Sequence, residues 1–249
     1  MKKWSARVTA TVLFVTGLLV AIILNPILTY AGKTTHNNFT IYHDREIDNL
    51  FLEQIDAAHQ LISRSELYDK NLTLDICLNN GSAYAKLIET IGGRAFARGF
   101  YDKVVLFGEE DFNNNTVELS GYKRNLTQLL AHEMTHCLQF KRLGLWKSKP
   151  FANIPNWKWE GYAEYVARQQ NDQKNLTQNI YRLLATSADN WEVVLSDSTI
   201  TAREYYNYWI LVQYCMDIRK MSYNQVLEDT TSYETLKNEM MNWYYKQNN

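Results

Sequence analysis

From Val8 to Leu24 the chain reads "VTATVLFVTGLLVAIIL" without a charge, and beyond that run its texture changes. Gly32 to Asn38 is a polar stem with no apolar period. From Arg45 onward Ile47, Leu50, Phe51, Ile55, Ala58 and Ile62 recur at helical spacing, which predicts a helix within 45–67. Leu72, Leu74, Ile76 and Leu78 then alternate with Thr73, Asp75 and Cys77, the period of a half-buried strand. "SAYAKLIETIGG" predicts a short helix closed by a glycine pair. "KVVLFG" and "TVELSG" predict two further strands, with "EEDFNNN" as the loop between them. From Asn125 the pattern is helical nearly to the end, interrupted between Pro150 and Pro155. There is no internal repeat and no linker rich in Gly, Pro or Ser. Strands first and helices afterwards predict an α+β fold.

The uncharged run follows Lys2, Lys3 and Arg7 and continues patchily through "NPILTYA", so about 20 residues suit the span of a bilayer core. Basic charge ahead of such a run puts the N-terminus in the cytoplasm and the bulk of the chain outside it. Thr29-Tyr30-Ala31 is also a passable small-residue cleavage site. Residues 1–31 therefore read either as a cytoplasmic tip with a transmembrane anchor or as a signal peptide. Both readings export residues 32–249 as one domain, tethered in the first case and secreted in the second.

Composition narrows the picture further. Of 249 residues 46% are hydrophobic and 13% aromatic, with only 10 Gly and 3 Pro, which suits one sizeable and mainly helical core. A formal charge of −1, from 26 basic and 27 acidic residues, lacks the basic excess of a nucleic-acid binder, so no nucleic-acid partner is expected. Cys77, Cys137 and Cys215 are an odd count without CxxC spacing and read as packing residues.

The chemistry begins in "NLTQLLAHEMTHCLQFKRLG". Asn125 is its expected N-cap, with Gln128 three residues on, and Gly144 its C-terminal stop. Leu126, Leu130, Met134 and Cys137 form an apolar stripe. His132 and His136, one turn apart, lie on a different face. Two neutral imidazoles at that spacing chelate one Zn²⁺, and Glu133 after the first projects near the open coordination position.

A third ligand has to come from elsewhere. No histidine follows His136, Gln139 and Arg142 occupy the next positions of interest, and His36, His43 and His59 have no motif around them. A carboxylate is left. In "NWKWEGYAEYVARQQ", with Asn156 as its expected N-cap, Glu160 and Glu164 stand one turn apart among Trp157, Trp159, Tyr162 and Tyr165. Spacing alone permits either as ligand. Glu160 is favoured by its place in the first turn and by Gly161 beside it, which would keep the surface near the metal clear of a side chain.

"HEMTH" followed by "NWKWEGYAEYV" resembles the gluzincin metallopeptidases, the thermolysin-like group, and especially peptidase-MA-like members with a W-x-x-EG-x-A-x-Y signature. The resemblance is specific over 127–168 and weaker in "EYYNYWILVQYCMDIRKMSYNQVLED", which looks like the helix those proteins place after the second motif. It implies a zincin-like fold, with His132, His136 and Glu160 as zinc ligands and Glu133 as general base. Glu164 matches the acid that hydrogen-bonds a zinc-bound histidine, a role Asp usually fills. "TVELSG" would correspond to the edge strand along which substrates lie.

The expected activity is hydrolysis of a peptide or protein substrate, with one zinc ion as cofactor. Glu133 would take a proton from the attacking water and pass it to the leaving amine. A developing oxyanion needs a further donor, and Tyr205 or Tyr206 of "REYYNYW" is the candidate. The competing expectation is a zinc-stabilised interaction or sensor domain without catalysis. Glu133 separates the two, because a structural zinc site has no need of a carboxylate beside its metal.

Overall fold

The computed structural model describes residues 2–79, 81–170 and 172–248; for Lys2, Lys3, Ser5, Ala6 and Asn248 it describes the backbone alone. The chain opens with helix α1 (Lys2–Leu24), whose window Arg7–Leu24 is apolar and long enough to cross a membrane and has no fully buried residue. The side chains of Lys2 and Lys3, two members of the expected basic cluster, lie outside the described residues. At its C-terminal end α1 touches the domain. Ile22 and Ile23 pack against a small apolar cluster, and the Tyr84 hydroxyl donates to the Ile23 carbonyl at 2.7 Å.

Five strands form the main sheet. β1 (Gly32–His36) and β2 (Phe39–His43) are an antiparallel hairpin, followed by α2 (Asn49–Ile62), β3 (Leu74–Cys77), α3 (Ala83–Gly92), β4 (Ala97–Phe100) and β5 (Lys103–Leu106). Their order across the sheet is β1-β2-β3-β5-β4. β2, β3 and β5 run parallel, with Ile41 opposite Ile76 and Ile76 opposite Val104, while β4 is the antiparallel edge. The two-residue period sorts the side chains. Phe39, Ile41, Leu74, Ile76, Val104 and Leu106 enter the main core, and Tyr42, Cys77 and Val105 face a second cluster with α3. The strand over 71–79 is thus covered on both faces at its C-terminal end rather than half-exposed, because α3 and the end of α1 lie over Cys77.

Three more strands, β6 (Glu109–Asp111), β7 (Thr116–Leu119) and β8 (Tyr122–Asn125), make an antiparallel meander with β7 in the middle. The helical half begins with α4 (Leu126–Leu143), α5 (Asn156–Ala167) and α6 (Leu176–Ala185). A short hairpin, β9 (Glu192–Val194) and β10 (Ile200–Ala202), precedes α7 (Arg203–Gln213). α7 runs on through a π-helical turn, Tyr214–Ile218, to α8 (Tyr223–Glu228) and α9 (Tyr233–Asn248). The fold is mixed α+β, as the pattern predicts.

Several local expectations change. The polar stem becomes β1, because an edge strand paired on one side tolerates threonines and lysine facing water, and Asn37 at φ +51° turns the hairpin. The first three residues of "EEDFNNN" are strand β6, and the turn is confined to residues 112–115. Asn156 is the first helical residue rather than the cap, and Pro155 stands at the cap with no side-chain hydrogen bond. The β9–β10 hairpin interrupts the helical half a second time.

Candidate metal centre

α4 is the axis of the site. The Asn125 side chain accepts from the Gln128 N–H at 3.0 Å, and Gly144 ends the helix at φ +78°, as expected. Every residue from Leu126 to Phe140 is buried, with α2, the sheet and α5 around it. His132 and His136 point their Nε2 atoms toward one another at 3.0 Å. Glu160 of α5 brings Oε2 to 3.1 Å from the nitrogen of His136 and 3.3 Å from that of His132. These edges are close to the roughly 3.3–3.4 Å between corners of a tetrahedron with bonds of about 2.0–2.1 Å, the zinc geometry. The three donors therefore fit a zinc ion. Glu133 also lies with the two histidines, their ligand atoms within 4.8 Å of one another. Its carboxylate is held elsewhere, however: Oε2 accepts from the Gly99 N–H at 2.5 Å.

The outer contacts orient the two rings. Gln139 Nε2 donates to the Trp159 carbonyl at 3.0 Å and to the Tyr223 hydroxyl at 2.7 Å, which turns its Oε1 to His136 Nδ1 at 2.7 Å. An amide oxygen only accepts, so His136 carries its proton on Nδ1 and keeps the Nε2 lone pair for the cavity. Trp159 stacks on the same ring at 5.5 Å, 8° from parallel. On the other side His132 Nδ1 lies 3.4 Å from Glu164 Oε1, an ion-pair distance without the alignment of a hydrogen bond. Glu164, 1% exposed, is clamped by Arg124 at 2.7 Å and Arg168 at 2.5 Å.

Electrostatics reflect this crowding. Burial disfavours a charged His132, but Glu160 and Glu164 outweigh it and raise its pKa to about 10. Burial alone would raise Glu164; Arg168 and Arg124 reverse this and hold the carboxyl well below its usual range. Glu160 is likewise held low, burial being outweighed by the two histidines. Burial also pushes the Arg168 guanidinium down, yet an arginine keeps its charge throughout the working range.

A cavity of about 600 Å³ opens over these groups. β4 forms one wall, and Gly99 decides how close that wall comes. A Cβ there would sit 2.1 Å from the Glu133 carbonyl oxygen, so only glycine lets β4 lie this tightly on α4. β4 is the edge strand of the cleft. β7, "TVEL", is paired on both sides and cannot be that edge, which corrects the expectation for "TVELSG".

The two tyrosines part company. Tyr205 lines the cavity with its ring 6.2 Å from that of His132, and burial, with Glu160 and Glu133 nearby, raises its pKa, so it presents a neutral hydroxyl. Tyr206 is fully buried on the far side of α7 and donates to the Asn179 carbonyl at 3.0 Å, outside the cavity. Gly161 is corrected too. A Cβ there would meet the Tyr208 carbonyl at 2.6 Å, so the glycine serves the close approach of α5 to α7, not the metal face.

Gly99, Arg124 and Gln139 escape the sequence reading. The alternation Phe96, Arg98, Phe100 against Ala97, Gly99 is the strand signal that marks the first. Gln139, three residues after His136 on α4, is a turn's reach from that ring. Nothing local announces Arg124. Comparison of the chain with protein-family models gives no match, and neither does comparison with curated proteins.

Proposed function

We propose that the chain is a zinc-dependent peptidase of gluzincin type, with His132, His136 and Glu160 holding the ion. The observation that carries this reading is the convergence of two imidazole nitrogens and one carboxylate oxygen at 3.0–3.3 Å beside an independently held glutamate. Zinc bound there supplies Lewis acidity, which makes water acidic enough to lose a proton near neutral pH. Glu133 is the general base. The Gly99 N–H fixes Oε2, and Oε1 has no hydrogen-bond partner among the described residues, so it is the oxygen that receives the proton and delivers it to the leaving amine. Tyr205 is the protein donor suited to the developing oxyanion, since it lines the cavity next to His132 and burial keeps its hydroxyl neutral. Gln139 and Glu164 position the two histidines. The free outer edge of β4 suits an extended peptide added as a further strand.

α1 is proposed as an uncleaved membrane anchor, with residues 32–249 outside the cytoplasm. Tyr30 supports this over a signal peptide. Its ring packs on Tyr42 and Tyr84, and its hydroxyl donates to the Leu78 carbonyl at 2.9 Å, so cleavage after Ala31 would strip a residue from the core.

The full chain, purified in detergent, should carry about one zinc and cleave a mixed peptide library. Glu133→Gln should keep the metal while hydrolysis falls about 10²–10⁴-fold. Undiminished turnover in that variant would assign the activity to something else. Protease added to intact cells from outside should digest the domain; protection until the membrane is broken would reverse the topology.

A further inference from the structure

The walls of the cavity carry more positive charge than its catalytic groups need. Arg94, Arg98, Arg124 and Lys149 line it against two acids, Glu133 and Glu160, both of which belong to the centre. Lys149 is engaged by the Asn156 side chain, and Arg98 gives one N–H to the Gly92 carbonyl while its buried Nε finds no partner. Arg94 has no hydrogen bond or ion pair among the described residues.

Arg124 stands nearest the chemistry. Two arginines share one carboxylate, Glu164, so the buried cluster Arg124–Glu164–Arg168 carries one net positive charge next to His132. Arg168 cannot present that charge. It is 2% exposed, its Nε is spent on Glu164, its Nη1 on Gln128 at 2.9 Å, and its plane lies over Trp209. Arg124 is 15% exposed, lines the cavity, and has one Nη2 hydrogen bond, to Glu164, among the described residues. Its Nε and Nη1 have no hydrogen-bond partner among the described residues, its Cζ lies over the Phe96 ring 6.0 Å from the centroid, and one carboxylate, Glu164, separates it from the far nitrogen of His132. A guanidinium held by one edge and open at another is preorganised for a carboxylate.

Resting on the peptidase reading, we propose that the cleft selects substrates bearing a carboxylate close to the scissile bond, and that Arg124 recognises it. The carboxylate belongs either to an acidic side chain or to a free peptide C-terminus. Arg124 also has a plain structural use as a partner of Glu164, and the test has to separate the two. Glu164 keeps Arg168 when Arg124 is removed, so its charge stays paired.

Three peptides of one neutral sequence serve as probes: C-terminally amidated, amidated with Glu beside the cleaved bond, and with a free C-terminus. Each is measured on the full zinc-loaded chain in detergent, as kcat/KM for the wild type and as Kd for Glu133→Gln through Trp159 and Trp191 fluorescence. A carboxylate peptide should exceed the neutral amide by about tenfold in both. Arg124→Gln should bring that ratio close to one, and Arg124→Lys, which keeps charge but not the fork, should fall between. The favoured peptide identifies the source as side chain or C-terminus. A wild-type ratio near one, or one that survives in Arg124→Gln, overturns the proposal; a structural role would lower all three peptides together and leave the ratio intact. Should Arg124→Gln not fold, Arg124→Lys and the wild-type ratio between about 50 and 500 mM salt decide, since the preference must shrink as charge is screened. Hydrolysis without discrimination removes this proposal alone. Discriminating binding by Glu133→Gln with no hydrolysis by the wild type removes the peptidase reading and keeps the carboxylate site.

Discussion

Along α2 the buried residues are Phe51, Gln54, Ile55, Ala58 and Ile62, a single stripe with polar residues turned to water. Along α4, which packs against it, fifteen consecutive residues are buried, and seven of them, Thr127, Gln128, His132, Glu133, Thr135, His136 and Gln139, are polar. The first pattern is what stability asks of a helix at the edge of a core. The second costs free energy unless each polar group finds a partner. Four do so within the protein: Thr127 with Asn115, Gln128 with Gln173 and Arg168, Thr135 with the Ala131 carbonyl, and Gln139 with Trp159, Tyr223 and His136. The other three turn atoms toward the cavity. Packing explains α2 apart from Gln54, whose amide donates to the Phe112 carbonyl at 2.6 Å, and leaves in α4 a remainder of two imidazoles and a carboxylate at the cavity.

The comparison breaks most sharply at the ligands. In the proposed zinc site Glu160→Ala would remove a direct bond, so the full chain should lose stoichiometric zinc after dialysis, as should His132→Ala and His136→Ala. Retention of about one zinc in all three would place the metal elsewhere. Ile55→Ala, in the ordinary helix, should show the opposite signature. Ile55 is fully buried against the core, and truncation there should cost about 2–5 kcal/mol of stability with the zinc content kept. Denaturation followed by tryptophan fluorescence checks the first figure and metal analysis the second. Lost zinc with unchanged stability would mean that the two helices do not divide their labour.

Between these extremes stands Glu164, one turn from the ligand but clamped by two arginines. Glu164→Ala should weaken zinc by about 10–100-fold, the usual effect of an outer-shell partner, and less than Glu160→Ala. The reverse order in a zinc titration would exchange the two roles. pH gives a second reading. The folded pKa of Glu164 lies below its unfolded value of about 4.3, so its contribution is fully present above that pH and is lost as pH falls through the folded value. Glu164→Gln should therefore flatten the loss of stability below about pH 4. An acid limb as steep as the wild type's would assign that loss to other carboxylates.

How far these roles were legible depends on how local their causes are. The α2 stripe, the β3 alternation and the i, i+4 pairs on α4 and α5 are periodicities, and each predicted its element or its shared face. The site residues that went unseen are held by contacts between distant segments. Gly99 matters because β4 meets α4 there, and Arg124 because β8 delivers it to a carboxylate on α5. Tyr205 and Tyr206 are adjacent, so composition could not say which enters the cavity; the packing of α7 on α5 and α6 does. Gly161 was visible and misread for the same reason, since its bare surface faces α7. The hairpin β1–β2 and strand β4 are short and polar at one edge, where pairing rather than hydrophobic period makes the strand.

The smallest expected effect sharpens the comparison at the helix ends, where α2 and α4 are alike. Asp48 Oδ1 accepts from the Leu50 N–H at 2.9 Å, and Asn125 Oδ1 from the Gln128 N–H at 3.0 Å. Each cap satisfies one of the unpaired N–H groups of a first turn, so Asp48→Ala and Asn125→Ala should each cost about 1 kcal/mol. Their salt dependence should differ. Asp48 adds a negative charge at the positive end of its helix, worth about 0.3–1 kcal/mol at low ionic strength and screened by salt, whereas Asn125 is neutral. The cost of Asp48→Ala should therefore shrink between about 50 and 500 mM salt, while that of Asn125→Ala holds steady. Denaturation of both variants at the two salt levels reads this directly. Equal salt sensitivity would show that the Asp48 cap acts through its hydrogen bond alone, leaving α2 and α4 different only along their middles, where one buries a stripe and the other a centre.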